Sequence, residues 1–170
     1  ALLSPLISLS STSGEHKTKP TQHAIALLRG SGVNPNMLLL RSSRKIDKST
    51  VDKLSLITHM PADGIFQAPD VKLIYELPLK FYEQGIHKYI LKYFGMKYIP
   101  EKDEFKKWAS FIKGVKSIKT TKTIALLGKY TDLHDAYASL MESIKFAGWK
   151  HHVKVNIKWI EVDQYKKGDW

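Results

Sequence analysis

The run Met37-Leu38-Leu39-Leu40 decides the fold of the first half of the chain. Pro35 breaks the chain just before it, so the run begins abruptly. Apolar residues that follow one another without alternation are typical of a strand buried on both faces, as the strands of a parallel sheet are. The run is therefore predicted to be a buried parallel strand.

Helical patterns lie on both sides of this strand. The first helix is predicted to take Thr21 as its N-cap and to carry Ala24, Leu27 and Leu28 on one apolar face. A second helix is predicted to open at Asp47. The other elements predicted for this half are a buried strand near residues 5–9, a brief strand at residues 65–66 and one long helix over residues 77–94.

The second half contains a β-α-β pattern. A lysine-rich stretch, residues 95–121, repeats apolar residues at helical spacing and is predicted to be an amphipathic linker helix. A buried strand over residues 123–128, a helix over 133–148 and an alternating strand over 153–160 are predicted to follow. Two strands joined by a helix predict the opening of a parallel α/β sheet.

Composition narrows the possible functions. The chain of 170 residues has a net charge of +11, which favours anionic partners but also fits a solubilising lysine-rich surface. The chain has no cysteine, which excludes disulfides and a cysteine nucleophile within these residues. No apolar run approaches the ~20 residues that span a bilayer. Because the sequence starts without Met and stops just after a strand-like run, we expect it to be a stretch of a longer polypeptide.

The polar segment, residues 17–22 with the sequence KTKPTQ, has the chemistry of a phosphate cradle. Lys17 and Lys19 would point to the same side of an extended backbone. Thr18 and Thr21 can donate hydrogen bonds to phosphate oxygens, and a helix N-terminus favours an anion. The segment lacks the glycine-rich arc of a P-loop. From the residues alone, a phosphate cradle and an exposed basic turn both remain open.

Several stretches match one protein family in order along the chain. Residues 14–23 (GEHKTKPTQH) resemble the family signature Gly-Glu-x-Lys-Thr-Lys-Pro-Thr-Gln. The further matches are residues 40–42, 69–79, 84–86, 124–130 and 135–139. On these motifs the chain resembles the CTP synthases, which are glutamine-dependent UTP amidoligases, over nearly its whole length.

The resemblance implies a nucleotide-binding role for each matching position. The signature residues would bind UTP, or CTP as the inhibiting product: Lys17, Thr18, Lys19, Pro20, Thr21 and Gln22. Lys53 would reach the same nucleotide. Arg41 would lie near ATP, and Pro69, Asp70 and Val71 would border its adenine. Pro69 departs from the family pattern, where a polar or basic side chain is usual, and proline has no N–H to donate to adenine.

The resemblance also implies a domain organisation. Residues 1–94 would form the C-terminal part of a parallel-sheet, P-loop-like synthetase domain. Residues 95–121 would be a helical linker, and residues 122–170 would be the first β-α-β unit of a class I glutaminase domain. The family uses ATP to phosphorylate the UTP 4-oxygen, and ammonia released from glutamine then displaces the phosphate to give CTP.

The family's P-loop, Mg²⁺ ligands and glutaminase cysteine would lie outside residues 1–170. The resemblance therefore assigns no catalytic and no metal-binding residue to this stretch. It implies a cytoplasmic ligase of pyrimidine nucleotide biosynthesis that uses ATP and Mg²⁺ and forms a homotetramer or a larger assembly. Neither nucleic acid nor a membrane is an expected partner.

Other interpretations of the same residues compete with these. A truncated, non-catalytic module that binds nucleotide and joins full-length subunits is the alternative to a working ligase. The lysine-rich residues 101–122 could contact RNA, although a solvated face explains them as well. His151 and His152 are interpreted as a solvated turn rather than as metal ligands. His16 and His23, which flank the polar segment, are interpreted as surface histidines.

We predict that the isolated 170-residue chain makes no CTP from UTP, ATP and ammonia. Phosphoryl transfer depends on positioning and on neutralisation of charge by a P-loop lysine and metal ions, and the sequence has no P-loop string. Chromatographic assay of CTP in the presence of Mg²⁺ checks this. Turnover that disappears when EDTA is added would contradict it.

Overall fold

The computed structural model describes residues 2–3, 7, 15–98 and 102–164. The chain divides into two compact units, Ala1–Lys106 and Lys107–Trp170, and the division falls inside the stretch predicted as the linker. Each unit contains a small parallel sheet accompanied by helices. The prediction of a mixed α/β fold with parallel strands is therefore confirmed. The strand predicted near residues 5–9 lies outside the described residues, apart from Ile7.

The first unit has a three-stranded parallel sheet in the order β1-β2-β3. Its strands are β1 (Leu2–Leu3), β2 (Met37–Ser42) and β3 (Ile65–Pro69). Its helices are α1 (Lys19–Gly30), α2 (Lys48–Thr58), α3 (Leu77–Glu83) and α4 (Ile86–Tyr93). The backbone N–H of Ile7 donates to the carbonyl of Arg41 at 2.7 Å, so Ile7 lies beside the end of β2.

Strand β2 is buried on both faces, as its apolar run predicts. Leu38 and Leu40 are fully buried in one cluster, which also contains Ile25 of α1 and Leu54 of α2. Met37 belongs to a second cluster with Phe66 of β3 and Ile86 of α4. Successive strand residues point to opposite faces, so the two clusters cover the two sides of the sheet. This arrangement makes β2 the centre of the core.

Helix α1 begins earlier than predicted. Its N-cap is Thr18, and Thr21 lies within the first turn with a side chain that is completely buried. The prediction of Thr21 as N-cap is wrong because Pro20, whose fixed φ suits a first turn, is already helical. The predicted apolar face is also wrong, because Ile25 is buried whereas Leu27 is 74% exposed.

The single helix predicted over residues 77–94 is two helices, α3 and α4. Gly85 separates them with a φ of +80°, a left-handed conformation that glycine adopts without a steric cost. The Gln84 side chain holds this turn against β3. Its Nε2 donates to the Gln67 carbonyl at 2.9 Å, and the Gln67 N–H donates to its Oε1 at 2.8 Å.

The second unit confirms the predicted β-α-β order. Strand β4 (Thr121–Gly128) pairs in parallel with β5 (Lys154–Glu161), and α6 (Ala138–Lys150) connects them. The predicted amphipathic helix is α5 (Lys102–Ser117), which spans the division between the units. None of the helices among the described residues combines the length and the apolarity needed to cross a bilayer.

Two expectations for the second unit are corrected. Leu126 is the one buried residue of β4, so this strand is not a buried one; β5 is its sole strand partner among the described residues. The connecting helix starts at Ala138, after a short 3-10 turn, and Leu133 is 62% exposed. His152 has a φ of 54° in an exposed turn, which confirms the turn predicted there.

We predict that Gly85→Ala lowers the free energy of unfolding by about 1–2 kcal/mol, the cost of a left-handed backbone for a residue with a Cβ. No atom lies within 4 Å of the added Cβ, so steric collision is not the cause. Gly30→Ala is the matched control, because Gly30 is helical and equally open. It should stabilise by about 0.4–1 kcal/mol. Chemical denaturation measures both variants, and equal effects would contradict the prediction.

Candidate functional site

The candidate site lies at the carboxyl edge of the first sheet. In a parallel sheet, helices begin at the edge where the strands end, and ligands of open α/β proteins bind there. The polar segment leads into α1, and Asp47 begins α2 at the same edge. Arg41 and Pro69 lie at the ends of β2 and β3. The topology therefore brings the polar segment, Arg41 and Pro69 to one edge.

The polar segment is not extended as predicted. Lys19 is already in the first turn of α1, so the expected same-side arrangement of two lysines on an extended backbone is wrong. Lys17 and Lys19 are exposed, whereas Thr18 and Thr21 are buried. Gln22 Nε2 donates to Thr18 Oγ1 at 3.0 Å. The two hydroxyl groups therefore face the protein interior, while the lysines face solvent.

The start of α1 keeps its positive character. No side chain caps it, and its first turn contains no acidic residue. The aligned peptide dipoles place a partial positive charge at this end of the helix. Lys17 and Lys19 add two full charges beside it. This combination can bind an anionic group such as a phosphate.

The start of α2 is capped by Asp47. Asp47 Oδ1 accepts a hydrogen bond from the Thr50 backbone N–H at 2.7 Å, and Oδ2 accepts one from the Thr50 hydroxyl at 3.0 Å. The Ser49 hydroxyl also donates to this carboxylate. Such donors stabilise the ionised form, so the pKa of Asp47 lies well below its ordinary value, first through Ser49 and then through Thr50.

His16 joins the polar segment to this cap. Its Nδ1 lies 3.4 Å from Asp47 Oδ2, and its side chain is only 6% exposed. The interpretation of His16 as a surface histidine is therefore wrong, because its side chain is almost fully buried and lies beside the N-cap of α2. His23, in contrast, is exposed as predicted.

The loop between β2 and α2 is fixed by Gln67 of β3. Gln67 Nε2 donates to the Ile46 carbonyl at 2.7 Å, and the Ile46 N–H donates to Gln67 Oε1 at 3.3 Å. The Ser42 hydroxyl accepts a further hydrogen bond from the Arg44 N–H at 3.3 Å. These contacts hold the loop that carries Asp47 against the sheet.

The residues predicted for ATP lie together. Ser42 is the register partner of Pro69, and the Asp70 N–H donates to the Ser42 carbonyl at 3.1 Å. Arg41 Nη2 is 3.9 Å from Asp70 Oδ1, and both side chains are more than half exposed. An exposed pair of this kind contributes little to stability. Val71 follows as a half-buried residue.

Lys53 is exposed on α2. It is six residues after the N-cap, about 9 Å along the helix axis. Its helix neighbours Thr50 and Leu54 are buried, and they hold the helix against the sheet. Helix α2 carries Lys53, and the cap of this helix, Asp47, contacts His16. The position of Lys53 relative to the polar segment therefore depends on α2.

A cavity of about 690 Å³ opens at the opposite edge of this sheet. It is lined by Asp63, which precedes β3, and by Tyr89, whose hydroxyl donates to the Asn36 carbonyl just before β2. None of the predicted nucleotide residues lines this cavity. We therefore place the candidate site at the carboxyl edge, where the charges and helix starts converge.

Sequence reasoning missed the long-range contacts of His16, Gln67 and Gln84. Asp47 carried a readable signal, since an aspartate just before a helical pattern is a preferred N-cap. The long-range contacts of the other three carry no signal in local spacing. Within the described ranges, no cluster of three His, Cys, Asp or Glu residues is arranged to hold a metal ion.

Comparison with known proteins gives a consistent family. A family model described as CTP synthase N-terminus matches residues 2–96. The chain is 40% identical to the CTP synthase of Bartonella bacilliformis over 159 residues, which are 94% of this chain and 29% of that protein. It is 39% identical to the CTP synthase of Methanococcus aeolicus over 155 residues, 91% of this chain and 29% of that protein. The chain thus spans less than a third of these relatives.

The depressed pKa of Asp47 predicts a pH-dependent contribution to stability. A carboxyl whose pKa is lowered by folding stabilises the folded state above its ordinary pKa, and this contribution is lost as the pH falls. The ordinary value here is 3.8. We expect the difference in Tm between the unsubstituted chain and Asp47→Asn to be largest near neutral pH and to shrink below about pH 5.

Asparagine is also a good N-cap, so Asp47→Asn removes the titration while it keeps a capping side chain. Ser49→Ala removes the first of the hydrogen-bond donors and should make the pH-dependent difference smaller. A Tm difference that stays constant from pH 7 to pH 3 would show that this carboxylate does not have the assigned role.

Proposed function

The chain belongs to the CTP synthase N-terminus family, and we propose that it is part of a CTP synthase, a ligase that aminates UTP to CTP at the expense of ATP. The observation that carries the proposal is the pair Lys17 and Lys19 beside the uncapped start of α1. Two exposed cations and a helix N-terminus favour binding of an anionic nucleoside triphosphate over an uncharged ligand. Their position at the carboxyl edge is the usual ligand position in a parallel sheet.

In this proposal residues 17–22 and Lys53 bind UTP, or CTP as product. Lys17 and Lys19 neutralise phosphate oxygens, and Lys53 approaches the same nucleotide from α2. The buried Thr18 and Thr21 keep the helix start in place, which the Gln22 hydrogen bond to Thr18 supports. Pro20 fixes the first turn. The site thus divides between exposed charges that contact the ligand and buried groups that shape it.

ATP is proposed to lie by the ends of β2 and β3. Arg41 supplies a cation, and Pro69, Asp70 and Val71 border the adenine. The weak contact between Arg41 and Asp70 leaves the guanidinium able to pair with a phosphate, because the ion pair is long and exposed. Mg²⁺, which would neutralise the transferring phosphate, is proposed to bind acidic ligands outside this chain, as the family resemblance implies.

The remaining proposals concern the larger protein. We propose that the first unit contributes to a P-loop-like synthetase domain and that residues 122–170 open a class I glutaminase domain that supplies ammonia. A parallel β-α-β unit, as in β4-α6-β5, is a suitable start for such a domain. We further propose a cytoplasmic homotetramer that takes UTP, ATP and glutamine.

The proposal predicts saturable binding of CTP to the chain, with UTP as a competitor. Isothermal titration calorimetry checks this. Replacing both Lys17 and Lys19 by Ala should weaken CTP binding at least about tenfold, because charged hydrogen bonds contribute about 1.5–3 kcal/mol each. Lys97→Ala is the matched control, an exposed lysine of the same unit outside the site.

Equal affinity of the double variant and the control would contradict the assignment of the site. Binding of RNA with a steep salt dependence and without competition by CTP would favour a nucleic-acid-binding function instead.

A further inference from the structure

His16 is buried in a place where packing alone does not require a polar ring. The side chain is 6% exposed, and Nδ1 faces Asp47 Oδ2 at 3.4 Å. Nε2 is also buried, and it has no hydrogen-bond partner among the described residues. A buried polar atom without a partner costs free energy that an apolar side chain would not. A histidine here is therefore better explained by what Nδ1 does than by its contribution to the core.

The acceptor of this contact is held rigidly. The Asp47 carboxylate accepts hydrogen bonds from the backbone and the hydroxyl of Thr50, so it cannot turn away without uncapping α2. The loop before it is fixed to β3 by Gln67. His16 thus contacts a carboxylate whose position is set by the sheet and by α2 together.

His16, the donor of this contact, is next to the lysines of the site in the sequence. His16 is followed in sequence by Lys17, and Lys19 begins α1 two residues later. Asp47 begins the helix that carries Lys53. The contact between His16 and Asp47 therefore joins the two parts of the chain that are proposed to hold one nucleotide.

We propose that His16 is a positioning residue for the UTP/CTP site, and that its contact with Asp47 fixes the spacing between the lysines of the polar segment and Lys53. This inference rests on the proposed function of that site. His16 does not touch the nucleotide in this role. It reduces the ordering that the lysines must undergo when nucleotide binds, which is how preorganisation raises affinity.

The test measures CTP binding and thermal unfolding of the 170-residue chain with substitutions at position 16. His16→Leu removes the donor and the unpartnered nitrogen while it keeps an apolar side chain of similar size. His16→Asn keeps an N–H donor near the position of Nδ1. His23→Leu, an exposed histidine of the same region, is the matched control.

We expect His16→Leu to bind CTP about fivefold more weakly while its Tm stays equal or rises, as coupling between contacting residues commonly has this size. His16→Asn should recover most of the affinity, and His23→Leu should bind as the unsubstituted chain does. In a double-mutant cycle, His16→Leu should have little further effect in the Asp47→Asn background.

Two outcomes overturn the inference alone. One is CTP binding by the unsubstituted chain that His16→Leu leaves unchanged. The other is a loss of affinity in His16→Leu accompanied by an equal loss in His16→Asn and a lower Tm, which would indicate a purely structural role. Failure of the unsubstituted chain to bind CTP at all would overturn the proposed function and this inference with it.

Discussion

The burial of β2 on both of its faces is the constraint on which the first unit depends. Leu38 and Leu40 occupy one core cluster and Met37 the other, so helices must cover both sides of the sheet. In a parallel sheet, a helix that directly follows a strand begins at the edge where that strand ends. The position of the candidate site follows from this one strand, because the polar segment, Asp47 and the end of β3 all lie at that edge.

The buried and the exposed residues of the site have different roles. The hydroxyls of Thr18 and Thr21 are buried, and they shape the start of α1 rather than face a ligand. The exposed lysines carry the charge, and the contact of His16 with Asp47 connects them to the second helix. This division differs from the expectation of an extended cradle in which lysines and hydroxyls would all face the phosphate.

Local signals in the sequence predicted the elements better than their ends. The run at β2, the cap at Asp47 and the parallel β4-α6-β5 order were all readable because they depend on neighbours along the chain. The early start of α1 and the break at Gly85 could not be read from the sequence. Each depends on local backbone conformation, which the spacing of apolar residues does not reveal. His16, Gln67 and Gln84 act across 17 to 31 residues of sequence, and no spacing rule points to such partners.

Amide hydrogen exchange of the chain with and without CTP would locate the nucleotide, since it shows where a bound nucleotide orders the backbone. We expect slower exchange in residues 15–22 and in the first turns of α2, at the carboxyl edge of the sheet. Protection confined to the cavity beside Asp63 and Tyr89 at the opposite edge would contradict it.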